Sequence, residues 1–310
     1  MTVHLSKCSP YTILLVLVAF VPLIPLAQSV PDKSFHYVLQ KPQYQPGAGS
    51  YIAFDEYHNN PHTLKGVYFP FNKLVGADGY VVQPVREEIT SALLKKFRIY
   101  VTVNATFDAE NWDLPVQSAF KETEVDAIYE WVKEGGSLLL ITDHMPCGGS
   151  ANLVASRFGF HLINGFALRN DRKPEIFSKA AGTLQANILT TTPGATVDSI
   201  RIWGGTGFTI PKKATIISSL GAGYTIYTPT KVANIEYPIA DSVARVPGKG
   251  FVNGAFMKYG KGRIIVFGDS APFTAQLQGI SSDKRGMNHP DASQNVQLLL
   301  NIIHWLDRKL

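Results

Sequence analysis

Residues 137–144 read SLLLITDH, an apolar run that ends in a carboxylate and an imidazole. A short strand that is hydrophobic on both faces is typical of the interior of a parallel sheet. The residues before it, 123–134, carry apolar side chains at helical spacing, and Gly135 and Gly136 supply a stop signal. The stretch therefore predicts a helix followed by a buried central strand, with polar side chains at the carboxyl end of that strand.

Strands alternate with helices on both sides of this stretch. Strands are predicted at residues 51–54, 80–82, 98–103 and 262–267, and helices at residues 71–77, 87–94, 152–158 and 292–306. This alternation predicts right-handed βαβ units, a mainly parallel sheet and an α/β fold built as a three-layer sandwich. Residues from about 160 to 250 are rich in Thr, Gly and Pro and contain short β-like runs, so we expect a β-rich insertion there.

The composition excludes several classes of protein. The chain has 310 residues, of which 45% are hydrophobic and 17% are charged. These values rule out a disordered chain and a coiled coil. The 29 basic and 24 acidic residues give a formal net charge of +5, but this surplus is spread along the chain. Because there is no dense basic run, we do not expect nucleic acid as a partner.

Residues 1–29 have the pattern of a secretory signal peptide. Lys7 precedes an apolar run at residues 11–21, and the small residues Ala27 and Ser29 follow. A membrane anchor is the alternative, but the apolar run is shorter than the roughly 20 residues that a span needs. We therefore expect a secreted or periplasmic protein with no stable membrane span after cleavage.

The rest of the chain is predicted to form an extended arm at residues 30–48, which are polar and rich in proline, and a single domain at residues 49–310. Cleavage would also remove Cys8, which leaves Cys147 as the only cysteine of the mature chain. No intrachain disulfide can then form, so the fold must rest on its hydrophobic core.

Polar side chains follow four of the predicted strands. Ligands of open α/β sheets bind beyond the carboxyl ends of the strands, and carboxylates and imidazoles are suited to acid–base work or metal binding. The alternative is that single Asp and Asn residues only cap helices and turns. The catalytic candidates are Asp143, His144, Asp55 and His58, and the ligand-binding candidates are Glu56, Asn59, Asn104, Asp269 and Ser270.

Four segments resemble a family of exported bacterial proteins in the class I glutamine amidotransferase-like group, related to the DUF4350 domain of unknown function. The resemblance covers most of residues 50–310 and implies a flavodoxin-like sandwich, but it supplies no known reaction. The segments are FDEYHNNPHT at 54–63, WVKEGGSLLLITDHMP at 131–146, GDSAPFTAQ at 268–276 and NVQLLLNIIHWL at 295–306.

The same resemblance raises the question of whether the chain has the nucleophilic cysteine needed for glutamine hydrolysis. Members of the wider amidotransferase class place a nucleophilic cysteine at the turn after the strand that matches residues 138–142. Here that turn reads Asp143-His144-Met145, and Cys147 comes only after Pro146. The resemblance therefore implies an amidotransferase-like domain that lacks the Cys nucleophile, and we do not expect glutamine hydrolysis.

No motif assigns a metal or cofactor. His58 and His62 have H-x-x-x-H spacing, but Pro61 lies between them, so they do not share a helix face. No cofactor is required by the sequence, and a divalent metal stays an open alternative without assigned ligands.

Three functions remain open. The first is binding of a small polar ligand or glycan at the sheet edge, which Trp112 and Trp203 near that edge would favour. The second is a hydrolase that uses the Asp and His candidates with or without a metal, which a separation of about 4–5 Å between His58 and His144 would favour. The third is a scaffold domain of the cell envelope, which burial of all these polar groups in capping bonds would favour.

Overall fold

The computed structural model of the protein describes residues 29–310. The predicted signal peptide lies outside the described residues, except for Ser29. Within residues 29–310, no helix is both long enough and apolar enough to cross a membrane.

The strands of residues 29–310 form one large sheet and three small ones. Strand β1 lies at the start of the predicted arm and pairs with β16, and residues 32–48 contain neither helix nor strand. The strands are β1 (Ser29–Pro31), β2 (Tyr51–Asp55), β3 (Val81–Val85), β4 (Ile99–Val103), β5 (Ser137–Ile141), β6 (His161–Leu162), β7 (Phe166–Arg169), β8 (Glu175–Ser178), β9 (Ser199–Ile202), β10 (Phe208–Thr209), β11 (Thr215–Ser219), β12 (Tyr224–Thr228), β13 (Ala244–Pro247), β14 (Val252–Tyr259), β15 (Gly262–Phe267), β16 (Ala275–Gln278) and β17 (Asp283–Gly286).

The helices fall mainly between the parallel strands and at the carboxyl end of the chain. They are α1 (Phe69–Ala77), α2 (Ser91–Leu94), α3 (Glu122–Glu134), α4 (Cys147–Arg157), α5 (Ile188–Thr191) and α6 (Asn295–Leu306).

The large sheet has the strand order β3-β2-β4-β5-β15-β14-β10-β6, and β11 also pairs with β14. Strands β3, β2, β4, β5 and β15 run parallel. Strand β14 pairs antiparallel with β15, and β10, β6 and β11 extend this part antiparallel. The prediction of an α/β fold with a large parallel portion is confirmed. The parallel order also brings the carboxyl ends of five strands to one edge of the sheet.

Alternate side chains of the parallel strands pack into two separate cores. On one face, Val101, Leu139 and Ile265 pack in the same cluster as the apolar side chains of α6. On the other face, Tyr100 and Leu138 pack in the same cluster as those of α3 and α4. Because both faces of β4 and β5 are covered, every residue of these two strands is buried.

The region from 160 to 250 is rich in strands, as expected, but it is not separate from the large sheet. Strands β6, β10 and β11 belong to that sheet, whereas β7, β12 and β13 form one small sheet, and β8 and β9 form another. The sequence pattern did not predict β14. Its unpaired backbone groups would form an open sheet edge, which β10 and β11 cover.

Helix α2 is shorter than the predicted helix at residues 87–94. The hydroxyl of Thr90 accepts a hydrogen bond from the backbone N–H of Leu93 at 3.2 Å. A Thr cap of this kind fixes the first helical residue, so the helix begins at Ser91.

Helix α4 begins at Cys147, five residues before the predicted start at Asn152. Its first turn packs against the following loop, and a Cβ at Gly148 would lie 2.7 Å from the carbonyl oxygen of Ile163. Glycine is therefore needed here for close packing, and the pair Gly148-Gly149 belongs to the helix rather than to a flexible turn.

Candidate functional site

A cavity of about 340 Å³ opens at the carboxyl edge of the parallel strands. We call it the strand-edge pocket. It is bounded by the ends of β4, β5 and β15, by the loop after β2 and by the β16–β17 hairpin. The lining residues that matter below are Asn59, His62, Asn104, Trp112, Asp143, His144, Cys147, Ser270 and Arg285.

Asp143 follows β5 and is 7% exposed. One carboxylate oxygen accepts the backbone N–H of His144 at 2.9 Å, and the other accepts the hydroxyl of Ser270 at 2.8 Å. Burial alone would raise the pKa of Asp143, but His144, the Ser270 hydroxyl and the Arg285 guanidinium together hold that pKa below its ordinary value. Asp143 is therefore a carboxylate at neutral pH, with hydrogen bonds to both oxygens.

Ser270 follows β15 and joins three other polar groups. Besides donating to Asp143, its oxygen accepts the Nδ2 hydrogen of Asn104 at 3.2 Å and lies 3.4 Å from Nε2 of His62. Asn104 has a left-handed backbone with φ of 49°, which Asn adopts more readily than most residues. Its Oδ1 is buried and has no hydrogen-bond partner within residues 29–310.

His62 was not among the predicted site residues. Burial lowers the pKa of His62 to about 4, with Arg285 and His144 acting in the same direction and Asp143 opposing them. The imidazole is therefore neutral at pH 7. Its Nδ1 is buried and has no hydrogen-bond partner in the described chain. The sequence signals for His62 were its H-x-x-x-H spacing with His58 and its place in the polar loop after the first parallel strand.

His144 presents one ring nitrogen to the pocket. Its Nδ1 lies 2.8 Å from the carbonyl oxygen of Met145, and this contact requires the hydrogen to be on Nδ1. In the neutral form of this tautomer, Nε2 carries a lone pair. The ring stacks on Phe166 with centroids 4.5 Å apart and lies 5.8 Å from the ring of Trp112. Of these rings, Trp112 and His144 line the pocket beside the Asp143–Ser270 network, and we call these two the aromatic wall; Phe166 is buried and supports the His144 ring.

Asp55 and His58 do not line this pocket. His58 Nδ1 lies 2.9 Å from both carboxylate oxygens of Asp55, and its Nε2 lies 3.1 Å from Glu124 of helix α3. All three side chains are at most 4% exposed. Burial would lower the pKa of His58, but hydrogen bonds to Asp55 and Glu124 raise it to about 9. We call this group the closed cluster, because both ring nitrogens of His58 are already occupied.

Two further candidates also lie outside the pocket. Glu56 accepts the backbone N–H of Leu64 at 2.8 Å and pairs with Arg86 at 2.7 Å, so it fixes the loop after β2. Asp269 is fully buried and accepts the backbone N–H of Ala271 at 2.9 Å. Burial and the charge of Asp143 raise the pKa of Asp269 to about 7. The structure therefore brings together Asp143, His144, Asn59, Asn104 and Ser270, and leaves Asp55, His58, Glu56 and Asp269 elsewhere.

Cys147 lies in the pocket wall as the first residue of α4. It is buried, and burial raises the pKa of its thiol above the ordinary value. Within residues 29–310, no group of three or more His, Cys, Asp or Glu side chains is arranged to hold a metal ion. Trp203 does not line the pocket; its ring lies against Arg201 and His289.

Known proteins share the fold of this chain but not a detectable family. No family model matches the chain, and no curated protein matches it. The solved mmIFT52 N-terminal domain superposes with a TM-score of 0.58 and 15% identity, over 83% of this chain and 97% of that one. This likeness shows a shared fold alone. A cytoplasmic protein of Salmonella typhimurium (TM-score 0.47, 11% identity, 83% and 98% covered) and a ThuA-like protein of Bacteroides uniformis (0.45, 13%, 87% and 94%) are less similar.

Proposed function

We propose that the protein binds a small polar ligand, and specifically a sugar or glycan, in the strand-edge pocket. One observation carries this proposal: the aromatic wall of Trp112 and His144 stands beside the hydrogen-bonding groups of Asp143, Ser270 and Asn104. A sugar ring has an apolar face that packs on aromatic rings and a rim of hydroxyls that needs donors and acceptors.

The free atoms of the pocket fit the same class of ligand. In the neutral form of its ring, His144 can accept a hydrogen bond from a hydroxyl at Nε2, and Trp112 is 36% exposed, so its ring is accessible. Binding rather than covalent chemistry at Cys147 is supported by the burial of the thiol, which keeps it protonated at neutral pH.

The proposal includes the class and location of the protein. We infer a flavodoxin-like three-layer domain of the glutamine amidotransferase-like, DUF4350-related group that lacks the Cys nucleophile and is exported after loss of residues 1–29. The apolar run at residues 11–21 supports export. The intact mass of protein recovered from the native host tests this, because a retained Met1 together with membrane association would contradict it.

Sugar binding is tested by titration calorimetry with a panel of neutral and acidic methyl glycosides. Trp112→Ala should lower the affinity for the tightest-binding sugar by about tenfold or more, because an aromatic stacking partner is lost. Tyr237→Ala is the matched control, because Tyr237 is an exposed aromatic residue that does not line the pocket. Equal losses in the two variants, or no binding by any sugar of the panel, would contradict the proposal.

Hydrolysis is a second candidate, and the position of Ser270 favours it. Its oxygen lies 2.8 Å from a carboxylate oxygen of Asp143 and 3.4 Å from Nε2 of His62. A hydroxyl that touches two proton acceptors can act as a nucleophile. Because His58 does not line this pocket, a hydrolytic site that combines His58 with His144 is not part of this second candidate. Turnover of p-nitrophenyl esters and glycosides that Ser270→Ala abolishes would support this function, and unchanged turnover in that variant would exclude Ser270 as the nucleophile.

A further inference from the structure

Arg285 is a cation in the strand-edge pocket that has no acidic partner. It lies on β17, and its guanidinium reaches the pocket from the β16–β17 hairpin. One terminal nitrogen donates to the carbonyl oxygen of Trp203 at 3.2 Å. Its Nε is buried and has no hydrogen-bond partner within residues 29–310.

Six of the other nine arginines of the described chain have a carboxylate oxygen within 4 Å, whereas Arg172, Arg263 and Arg308, like Arg285, do not. A buried N–H group that lacks an acceptor is unfavourable. A half-buried guanidinium that lines a cavity and has no carboxylate partner is therefore suited to an incoming anion.

Asp143 does not serve as the acidic partner of Arg285. Both of its carboxylate oxygens already accept hydrogen bonds, from the His144 backbone and from Ser270. Its negative charge is close enough to be influenced by Arg285, but the two side chains form no ion pair. The pocket therefore has one side with a carboxylate that already accepts a hydrogen bond at each oxygen and one side with a cation that has no carboxylate partner.

The geometry points to an acidic sugar as the ligand, with its carboxylate bound by Arg285 and its hydroxyls directed to the Asp143 side of the pocket. This inference rests on the proposed function and adds the charge of the ligand. A carboxylate can accept two N–H bonds from one guanidinium, and such charge-assisted pairs are about twice as strong as neutral ones. A neutral sugar hydroxyl would satisfy only one N–H and would leave the charge unpaired.

The inference is tested with matched sugars that differ only in the acid group: methyl glucuronide against methyl glucoside, and methyl galacturonide against methyl galactoside. Calorimetry on the full-length mature protein should show a preference of about tenfold or more for the acid of at least one pair. Arg285→Gln should reduce this preference to about twofold or less, while binding of the neutral sugar changes little.

Lys284→Gln is the matched control. Lys284 is the preceding residue on β17, is exposed, and does not line the pocket, so its loss removes the same charge without removing the proposed contact. It should keep the preference for the acid. If Arg285→Gln does not fold, Arg285→Lys replaces it, and that variant should lose most of the preference because the planar fork is absent.

Four results would overturn the inference, and they separate it from the proposed function. Equal binding of acid and neutral sugars by the wild type would overturn it and leave sugar binding intact. Absence of binding by both members of each pair would overturn both. Equal weakening of acid and neutral sugars in Arg285→Gln would show that Arg285 only supports the pocket wall. Tighter binding of a sulfated or phosphorylated sugar than of either uronide would show that the carboxylate class is wrong.

Discussion

Two Asp–His pairs lie after parallel strands of the same sheet, and they differ in what remains free. In the closed cluster, His58 bonds to Asp55 through one ring nitrogen and to Glu124 through the other. In the strand-edge pocket, the ring of His144 uses only Nδ1, and Asp143 faces a cavity of about 340 Å³. The comparison shows that residue type and strand position do not make a site. A ligand site also requires a polar atom that is free and that faces a cavity.

The electrostatics of the two regions also differ, as His58 in the closed cluster and His62 in the strand-edge pocket show. The closed cluster places one imidazole between two buried carboxylates, so the charged form of His58 is stabilised and its pKa is raised to about 9. In the pocket, His62 faces Arg285 and is buried, so its pKa falls to about 4. The same residue type is therefore a structural cation in one region and a neutral ring in the other.

Removal of His58 should produce the largest effect on stability. His58→Ala leaves Asp55 and Glu124 buried without their shared cationic partner, and removal of one member of a buried ion pair costs about 3–5 kcal/mol. We expect the free energy of unfolding in urea to fall by that amount. His144→Ala, measured in parallel, should lose less than about 1 kcal/mol. Equal losses in the two variants would contradict the distinction between the pairs.

The pH dependence of stability should sharpen this result. The folded pKa of His58 lies above its ordinary value of 6.5, so its contribution is fully present below about pH 6.5 and is lost as the pH rises through about 9. Burial opposes ionisation of Glu124, but bonds to His58 and the backbone lower its pKa, so its contribution is lost as the pH falls below the ordinary range near 4.5. The stability difference between wild type and His58→Ala should therefore be greatest near pH 6 and should shrink toward pH 10. A constant difference over this range would show that His58 acts through packing alone.

The sequence predicted the central part of the site because that part depends on local rules. Asn104, Asp143 and Ser270 each follow a strand of continuous hydrophobicity, and parallel strands bring such residues to one edge. Asp55 and His58 satisfy the same local rule. The difference comes from Glu124, which lies 66 residues after His58 and closes on it from helix α3. No pattern around residues 55–58 contains that information.

The remaining site residues come from elements that the sequence pattern did not place. Arg285 reaches the pocket from a hairpin outside the large sheet, and that hairpin is held by the pairing of β16 with β1 and β17. The sequence pattern did not predict β14. This strand pairs antiparallel with β15 and comes after a segment rich in strands, so it is not part of a βαβ repeat. Long-range pairing of this kind leaves no local period in the sequence, so it can be described only from the folded chain.

Within the pocket, His144→Ala should reduce ligand affinity rather than stability. The change removes the Nε2 atom and one of the two rings of the aromatic wall. We expect the affinity for the tightest-binding sugar to fall by about tenfold or more, which is about 1.4 kcal/mol. Calorimetry measures the affinity, and the melting temperature provides the control for folding. A lower melting temperature with unchanged affinity would assign His144 to structure, like His58.

Cys147→Ala should have the smallest effect, and it tests whether the pocket still contains the chemistry of an amidotransferase. The thiol lies in the pocket wall, but burial raises its pKa, so the thiolate that a nucleophile requires is scarce at neutral pH. Replacement by Ala removes one small buried group, which should cost about 1 kcal/mol in unfolding free energy. Sugar affinity should change by less than about threefold, because none of the free polar atoms of the pocket belongs to this residue. Reaction of the wild type with a thiol reagent should be slow in the folded state and fast in urea. Rapid labelling of the folded protein, together with loss of any turnover in Cys147→Ala, would restore a covalent mechanism at this edge of the sheet.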